Sequence, residues 1–389
     1  MSIAEPVTVA APIKPVSTFV RGLDGVVAVQ TTLSSIDGQR GILTYRGIDI
    51  HELAEKARYE EVVYLLWYGK LPNCQELADL EARLAANRPV PDQIITILRN
   101  TPDNAVPMVV LRNAVSALAM FDPDAEDISP EATRRKAERL TAQMGTILTA
   151  YHRLRHGLEP IDPDPHLDHT SNLLYMLTGD PPDPAYVRAL DLYQVLLADH
   201  GMNASTFTAR VVASTQADLH SAIAAALGAL KGPLHGGAAE ATMRTLFEIG
   251  EVDKADAFVE NAFRARRKIM GIGHRIYKTG DPRALHLQKY SQSLGERRGE
   301  IKWFQILKEV EQAVLKYRQL YANVDFFSST MLYYIGIPVD MFTPMFAASR
   351  IAGWSAHVIE QYDDNVLIRP QSEFIGPEEQ HYVPIDERK

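Results

Sequence analysis

The chain has 389 residues, 46% of them hydrophobic, enough for a large core and more than one compact domain usually holds, so two domains are expected. With 49 acidic against 40 basic residues the formal charge is -9, which argues against general affinity for nucleic acid or an anionic membrane but leaves room for a local Arg and His cluster that binds small anions. Cys74 is the single cysteine, so no intrachain disulfide forms, and a reducing compartment suits the chain.

Met1 to Ser17 mixes Pro and Ala with Glu5 and Lys14 and lacks both a signal-peptide apolar core and an Arg-rich transit pattern. A disordered tail over residues 1–21 and a cytoplasmic location are the expectation. Val26 to Leu33 and Ile42 to Arg46 read as the two strands of a small hairpin, with the Asp37-Gly38 pair in the turn between them. Helices follow. Three- and four-residue apolar spacing predicts them over Ile50 to Tyr68, Cys74 to Ala86, Pro91 to Asn100, Val106 to Ala119, Glu131 to Arg155, Asp183 to Asp199, Ala217 to Lys231, Ala238 to Ile249, Lys254 to Lys268, Trp303 to Leu320, Phe326 to Ile335 and Met345 to Tyr362. The longest apolar run, near Ser221 to Leu230, is too short to cross a bilayer. The fold class is therefore mainly α. Gly236-Gly237 and Gly336-Ile337-Pro338 bracket a segment able to move as a unit, so a small domain over residues 237–336 is expected within a large one formed by 22–236 and 337–389.

Four places carry residues suited to chemistry. Gly232-Pro233-Leu234-His235-Gly236-Gly237 turns into a helix, and an imidazole at a helix N-terminus stays neutral and can donate to a carbonyl oxygen; its bland alternative is a turn histidine. In Gly271-Ile272-Gly273-His274-Arg275-Ile276-Tyr277-Lys278, Ile276 stands where a dinucleotide fingerprint needs its third glycine. Gly271 and Gly273 instead let the backbone approach a ligand, and Lys278 with the preceding Arg264, Arg266, Arg267 and Lys268 can meet phosphates, solvation being the ordinary role of each base taken singly. His274 beside Arg283 fits a 2-oxo carboxylate.

Asn323-Val324-Asp325 precedes a helix, so Asp325 is either an N-cap or a carboxylate base, or both. The last set is His200 before Gly201, Arg350 within small and apolar residues where a cation needs an anionic partner, and Arg369 before Pro370. His152 with His156 and His166 with His169 have spacings compatible with a metal but lack a supporting motif, so no metal site is expected. Phosphate-loop and nucleophile-elbow motifs are absent.

Taken together and in this order, these blocks resemble the citrate synthases and the related 2-methylcitrate synthases over about Gly22 to Gly376. The matching blocks are Ala198-Asp199-His200 with Asn203-Ala204-Ser205-Thr206, the Gly232 to Gly237 turn, Gly273 to Lys278 with Asp281-Pro282-Arg283, Asn323-Val324-Asp325-Phe326, and Ser349-Arg350 with Gly353-Trp354. The resemblance implies a helical homodimer that condenses acetyl-CoA with oxaloacetate and hydrolyses the thioester, with no cofactor. It implies His235, His274 and Asp325 as catalytic residues, His200, Arg283, Arg350 and Arg369 as holders of the dicarboxylate, and Arg369 reaching the partner's site. Two departures stand out: Ala322 replaces a usual proline, and Phe327-Ser328-Ser329 a more typical Tyr-Ser-Gly. The nearest rival reading uses propionyl-CoA. A non-catalytic helical binding dimer is the rival from another class, set against the complete His, Asp and Arg set, and a metal-dependent hydrolase is a third.

Overall fold

A computed structural model describes residues 19–377 and 380–388, so the predicted tail lies outside the described residues up to position 18. The described residues divide into two units, one running from Thr31 to Ile368, the other made of the residues before Thr31 and those from Arg369 onward. The larger unit holds the sheet and the helices described below.

A three-stranded antiparallel sheet opens that unit, with β1 at Ser34–Asp37, β2 at Ile42–Tyr45 and β3 at Ile48–Asp49. Ser34 pairs with Tyr45 and Asp37 with Ile42. The expected first strand at Val26 to Leu33 is therefore displaced. The Asp37 carboxylate accepts the amides of Gln39 and Arg40, each at 3.0 Å, so the turn follows Asp37: Gly38 turns as expected, while Asp37 and the Ser34 to Ile36 run before it are strand.

Sixteen helices follow among the described residues: α1 Ile50–Lys56, α2 Tyr59–Tyr68, α3 Cys74–Ala86, α4 Asp92–Arg99, α5 Pro107–Leu118, α6 Pro130–Leu154, α7 His169–Thr178, α8 Pro184–Leu197, α9 Ala204–Ser214, α10 Leu219–Leu230, α11 Ala238–Ile249, α12 Ala255–Arg264, α13 Ala284–Arg298, α14 Lys302–Arg318, α15 Val324–Ile335 and α16 Phe342–Asp363. Most start where local chemistry allows. Asn73, Ser129, Asp168, Asn203 and Asp218 each accept an N–H of the first turn, and Pro107, Pro130 and Pro184 occupy first helical positions where no donor is needed. Gly69, Gly179 and Gly336 end helices in the left-handed conformation.

The predicted helix over Ile50 to Tyr68 is two helices. The extended backbone of Ala57 and Arg58 separates them, and Arg188 of α8 donates to the carbonyls of Ala54 at 2.8 Å and Glu55 at 3.2 Å, closing off α1. Helices α7, α9 and α13 were not foreseen. The helix expected over Lys254 to Lys268 stops at Arg264.

The central helix is α16, buried nearly all round and packed against α2, α6, α8, α9 and α10. Trp354 is fully buried on it, and Gly353 lets it touch the segment after α8: a Cβ there would lie 2.3 Å from the Ala198 carbonyl oxygen. Helices α11 to α15 pack on one another, chiefly α13 and α11 on α15, and α15 meets α8. The site residues sit at these junctions.

Candidate active site

The segment after α8 is fastened from three directions. The Ser34 hydroxyl of β1 donates to Asp199 Oδ2 at 2.6 Å, the Tyr45 hydroxyl of β2 donates to the carbonyls of Asp199 and Leu196, and His357 of α16 lies 3.2 Å from Asp199 Oδ1. These contacts fix His200, whose Nε2 is 3.0 Å from the Tyr277 hydroxyl and whose ring meets His274 edge-on at 5.3 Å between centroids. Burial, and then the cations Arg283 and Arg350, hold His200 well below the ordinary histidine pKa, so it is neutral.

His274 occupies a half-buried turn between α12 and α13. Its Nδ1 accepts the backbone N–H of Ile276 at 3.0 Å and of Tyr277 at 3.2 Å. An imidazole nitrogen that accepts carries no proton, so in the neutral ring the proton is on Nε2. Burial, followed by the charge of Arg283, brings the pKa down to about 4.

His235 is the mirror case. Its Nε2 accepts the backbone N–H of Ser205 at 3.2 Å and lies 2.8 Å from the Ser205 hydroxyl, which puts the proton on Nδ1. Its pKa is also lowered to about 4. The leading cause is burial, with Arg350 next, where the sequence pointed to the N-terminus of α11. Two neutral imidazoles thus each keep one N–H for a ligand, and the backbone fixes which nitrogen carries it.

Arg283 and Arg350 are both 2% exposed yet differ in partners. Arg283 is clamped by Asp281, Nε to Oδ1 at 2.9 Å and Nη2 to Oδ2 at 2.8 Å. Arg350 has no carboxylate partner among the described residues; its Nε donates to the Leu197 carbonyl at 2.5 Å and its guanidinium lies 4.7 Å from the centre of the Phe346 ring. A buried guanidinium held only through Nε is poised for an anion.

Asp325 is not the cap of α15. The cap is Asn323, whose side chain accepts the Asp325 N–H at 3.0 Å, which leaves the Asp325 carboxylate free of that duty. Burial raises its pKa to about 6, against the pull of Arg283. It lines a cavity with His235, Tyr193, Phe342, Thr343 and Phe346. His200, His235, His274, Arg283, Asp325 and Arg350 therefore converge in one place.

The remaining predicted residues lie as follows. Gly271 and Gly273 are both left-handed, at φ 77° and 84°. A Cβ on Gly271 would come within 3.0 Å of Thr242 and Phe326, so that side of it packs on the protein's own α11 and α15; a Cβ on Gly273 would meet open space. The exposed Lys278 ammonium donates to the Arg275 carbonyl at 3.2 Å. Arg264 and Arg267 pair with Glu260 and Glu248, as on a solvated face. Arg369 directly follows the larger unit, whose last residue, Ile368, donates its N–H to Ser214 Oγ at 3.0 Å. His152, in the last turn of α6, and His156, just past its end, lie with their rings tilted at 4.6 Å between centroids.

Position 322 explains one departure from the family pattern. The ladder around it uses the Tyr321 carbonyl and the Asn323 N–H, bonded to Gly273 and Gly271, so alanine or proline serves equally at 322. Sequence reading missed the parts played by Asp281, Ser205, Tyr193 and the Asp199–His357 pair. Only the acid two residues before Arg283 offered a local signal.

A helical scaffold that gathers three neutral histidines, a carboxylate of raised pKa and two buried arginines defines an enzyme site for small anionic substrates. The family model described as citrate synthase, C-terminal domain, matches residues 22–371. "Citrate synthase 2" of Bacillus subtilis (strain 168) is 47% identical over 372 residues, covering 95% of this chain and all of that protein. "2-Methylcitrate synthase 2" of Corynebacterium glutamicum is 40% identical, covering 95% of this chain and 97% of its own. The structure of the ternary complex of carboxymethyl coenzyme A and oxaloacetate with citrate synthase from the archaeon Thermoplasma acidophilum superposes with a TM-score of 0.90 at 34% identity, covering 95% of this chain and 99% of that one. The chain belongs to the citrate synthase family, acyltransferases that condense acetyl-CoA with oxaloacetate.

Proposed function

We propose that this protein joins the methyl carbon of acetyl-CoA to the ketone carbon of oxaloacetate and hydrolyses the resulting thioester to citrate and CoA. The observation that carries the reading is Arg350, a buried cation without a carboxylate partner among the described residues, beside the neutral His200, His235 and His274 and the raised Asp325.

In this reading Asp325 takes a proton from the thioester methyl, while the His235 Nδ1–H bonds the carbonyl oxygen and stabilises the enolate as it forms. The enolate carbon attacks the ketone carbon of oxaloacetate. His274 Nε2–H gives the new alkoxide its proton, and Arg283, Arg350 and His200 hold the dicarboxylate so that the reacting carbons meet. Water then adds to the thioester carbonyl, the C–S bond breaks and the thiol leaves with a proton. These are proton transfers and additions, so no cofactor is required. Gly271, Gly273 and Lys278 are assigned to the CoA moiety.

Residues 237–336 are assigned as the segment that closes over the site, on the strength of the left-handed Gly237 and Gly336 at its ends and of the mutual packing of α11 to α15. A homodimer in which Arg369 completes the partner's carboxylate site, and a cytoplasmic location consistent with a lone cysteine, complete the proposal.

The second reading, propionyl-CoA as the acyl donor, is favoured by the Corynebacterium glutamicum relative. One methylene in an apolar pocket is worth about 1–3 kcal/mol, so a few packing residues decide it. Steady-state kinetics with the two thioesters at fixed oxaloacetate test the choice. The expected ratio of kcat/KM favours acetyl-CoA, and a ratio favouring propionyl-CoA overturns it.

A further inference from the structure

Five tyrosines are among the largest fully buried side chains: Tyr45, Tyr59, Tyr151, Tyr193 and Tyr334. Buried phenols normally find a hydrogen-bond partner, because a hydroxyl taken from water without one is costly. Four of the five obey. Tyr45 donates to the Asp199 carbonyl at 2.8 Å, Tyr59 to the Ser349 carbonyl at 2.9 Å and Tyr151 to the Ala105 carbonyl at 2.8 Å, while Tyr334 accepts the Phe304 N–H at 3.0 Å. The hydroxyl of Tyr193, on α8, differs: it bonds no described residue, and although the residue is only 1% exposed the hydroxyl is not sealed from solvent but keeps access to a cavity.

Tyr193 lines the cavity shared by His235 and Asp325. The Asp325 carboxylate likewise has no donor among the described residues: the bonds of that residue run through its backbone, its N–H to Asn323 and its carbonyl to Ser328. One wall of the cavity therefore carries a donor without an acceptor and another an acceptor without a donor. After burial, the Asp325 charge is the largest influence on the Tyr193 phenol, ahead of Arg350 and Arg283.

We propose that Tyr193 is a positioning residue for the reaction: its O–H donates to the Asp325 carboxylate when the site closes on substrate, aims that carboxylate at the acyl methyl and favours its ionised form. The inference rests on Asp325 being the base. A donor to the ionised carboxylate lowers its pKa, and one fixed oxygen leaves the other directed at the C–H bond. Burial, opposed by Arg283 and Arg350, leaves the Asp325 pKa raised to about 6, and a donor arriving with substrate favours the ionised form further.

Tyr193→Phe removes the oxygen and keeps the ring, and because no protein partner is lost the variant is expected to unfold at the same denaturant concentration as the parent. Three readouts are expected to move together. The rate of exchange of thioester methyl protons with deuterated solvent, in the presence of a non-reactive 2-oxo dicarboxylate, falls about tenfold; the acidic limb of the kcat profile shifts to higher pH; and the KM for oxaloacetate stays unchanged. An acidic limb and exchange rate equal to the parent's overturn the assignment. So does a raised KM for acetyl-CoA with an unmoved limb, which would make the hydroxyl a substrate contact. If the parent itself makes no citrate, the proposed function fails, and that outcome is distinct from a parent and variant that are both active and alike.

Discussion

Asp281 grips Arg283 with both carboxylate oxygens and, through Oδ2, also accepts the N–H of Val324 at 3.0 Å. One buried acid thus joins the arginine proposed to hold the dicarboxylate to the first turn of the helix that carries Asp325. Removing a single partner from a buried ion pair strands the other charge, at a cost of about 3–5 kcal/mol. Asp281→Ala is expected to lose stability on that scale in urea denaturation and to raise the KM for oxaloacetate at least about tenfold, as the guanidinium loses its direction. Unchanged values of both would remove Asp281 from the site.

Replacing Asp325 with Asn tests the base directly. Asn323 caps the helix, so the substitution leaves the cap intact and deletes only a carboxylate whose ionisation burial opposes. Stability at neutral pH should stay level or rise slightly. Turnover is expected to drop at least about a hundredfold, the lower end of what a positioned base contributes. A variant that exchanges the acyl methyl protons as fast as its parent would show that another group takes them.

The pH dependence has two parts of opposite sign. Asp325, raised to about 6 in the unliganded chain, must be ionised to act in this reading, so kcat/KM should fall as pH drops through about 6. Burial brings His235 and His274 down to about 4 in the folded chain, below the ordinary histidine range of about 6.5, so the unfolded chain takes up protons first. The stability they contribute is complete above pH 6.5 and is lost as pH falls from there toward 4. Urea midpoints of the parent and of His235→Gln at pH 7 and pH 5 check this, the variant being expected to lose less. Equal losses would mean that His235 does not titrate on unfolding.

Arg369 can be tested by complementation. Mixed chains of Arg369→Ala and Asp325→Ala, each inactive alone, should regain activity in hybrid dimers, where one of the two sites has both groups intact. Confirmed subunit exchange with no return of activity would refute a shared site.

Local chemistry settled a good deal of this protein without reference to its fold. Cys74–Ala86 and Ala238–Ile249 are helices with the predicted bounds, because apolar spacing inside each element and Asn73 or a glycine at its ends act within a few residues. The motifs around His200, His235, His274, Arg283, Asp325 and Arg350 were legible for the same reason: each is a short run whose residue types imply a kind of chemistry. The split of Ile50 to Tyr68 was not, since the Arg188 guanidinium that ends α1 comes from α8. Helix α13 was hidden because its buried face is made partly of Ser291 and Gly295, where small residues let α15 approach to put Tyr334 2.9 Å from a Cβ on Gly295, and such a face has little hydrophobic period. Which nitrogen of His235 and His274 holds the proton, which arginine already has a carboxylate, and which buried tyrosine lacks a partner were decided only by tertiary structure. Each of those properties belongs to a contact between groups far apart in the chain, and burial gives such contacts their energetic weight.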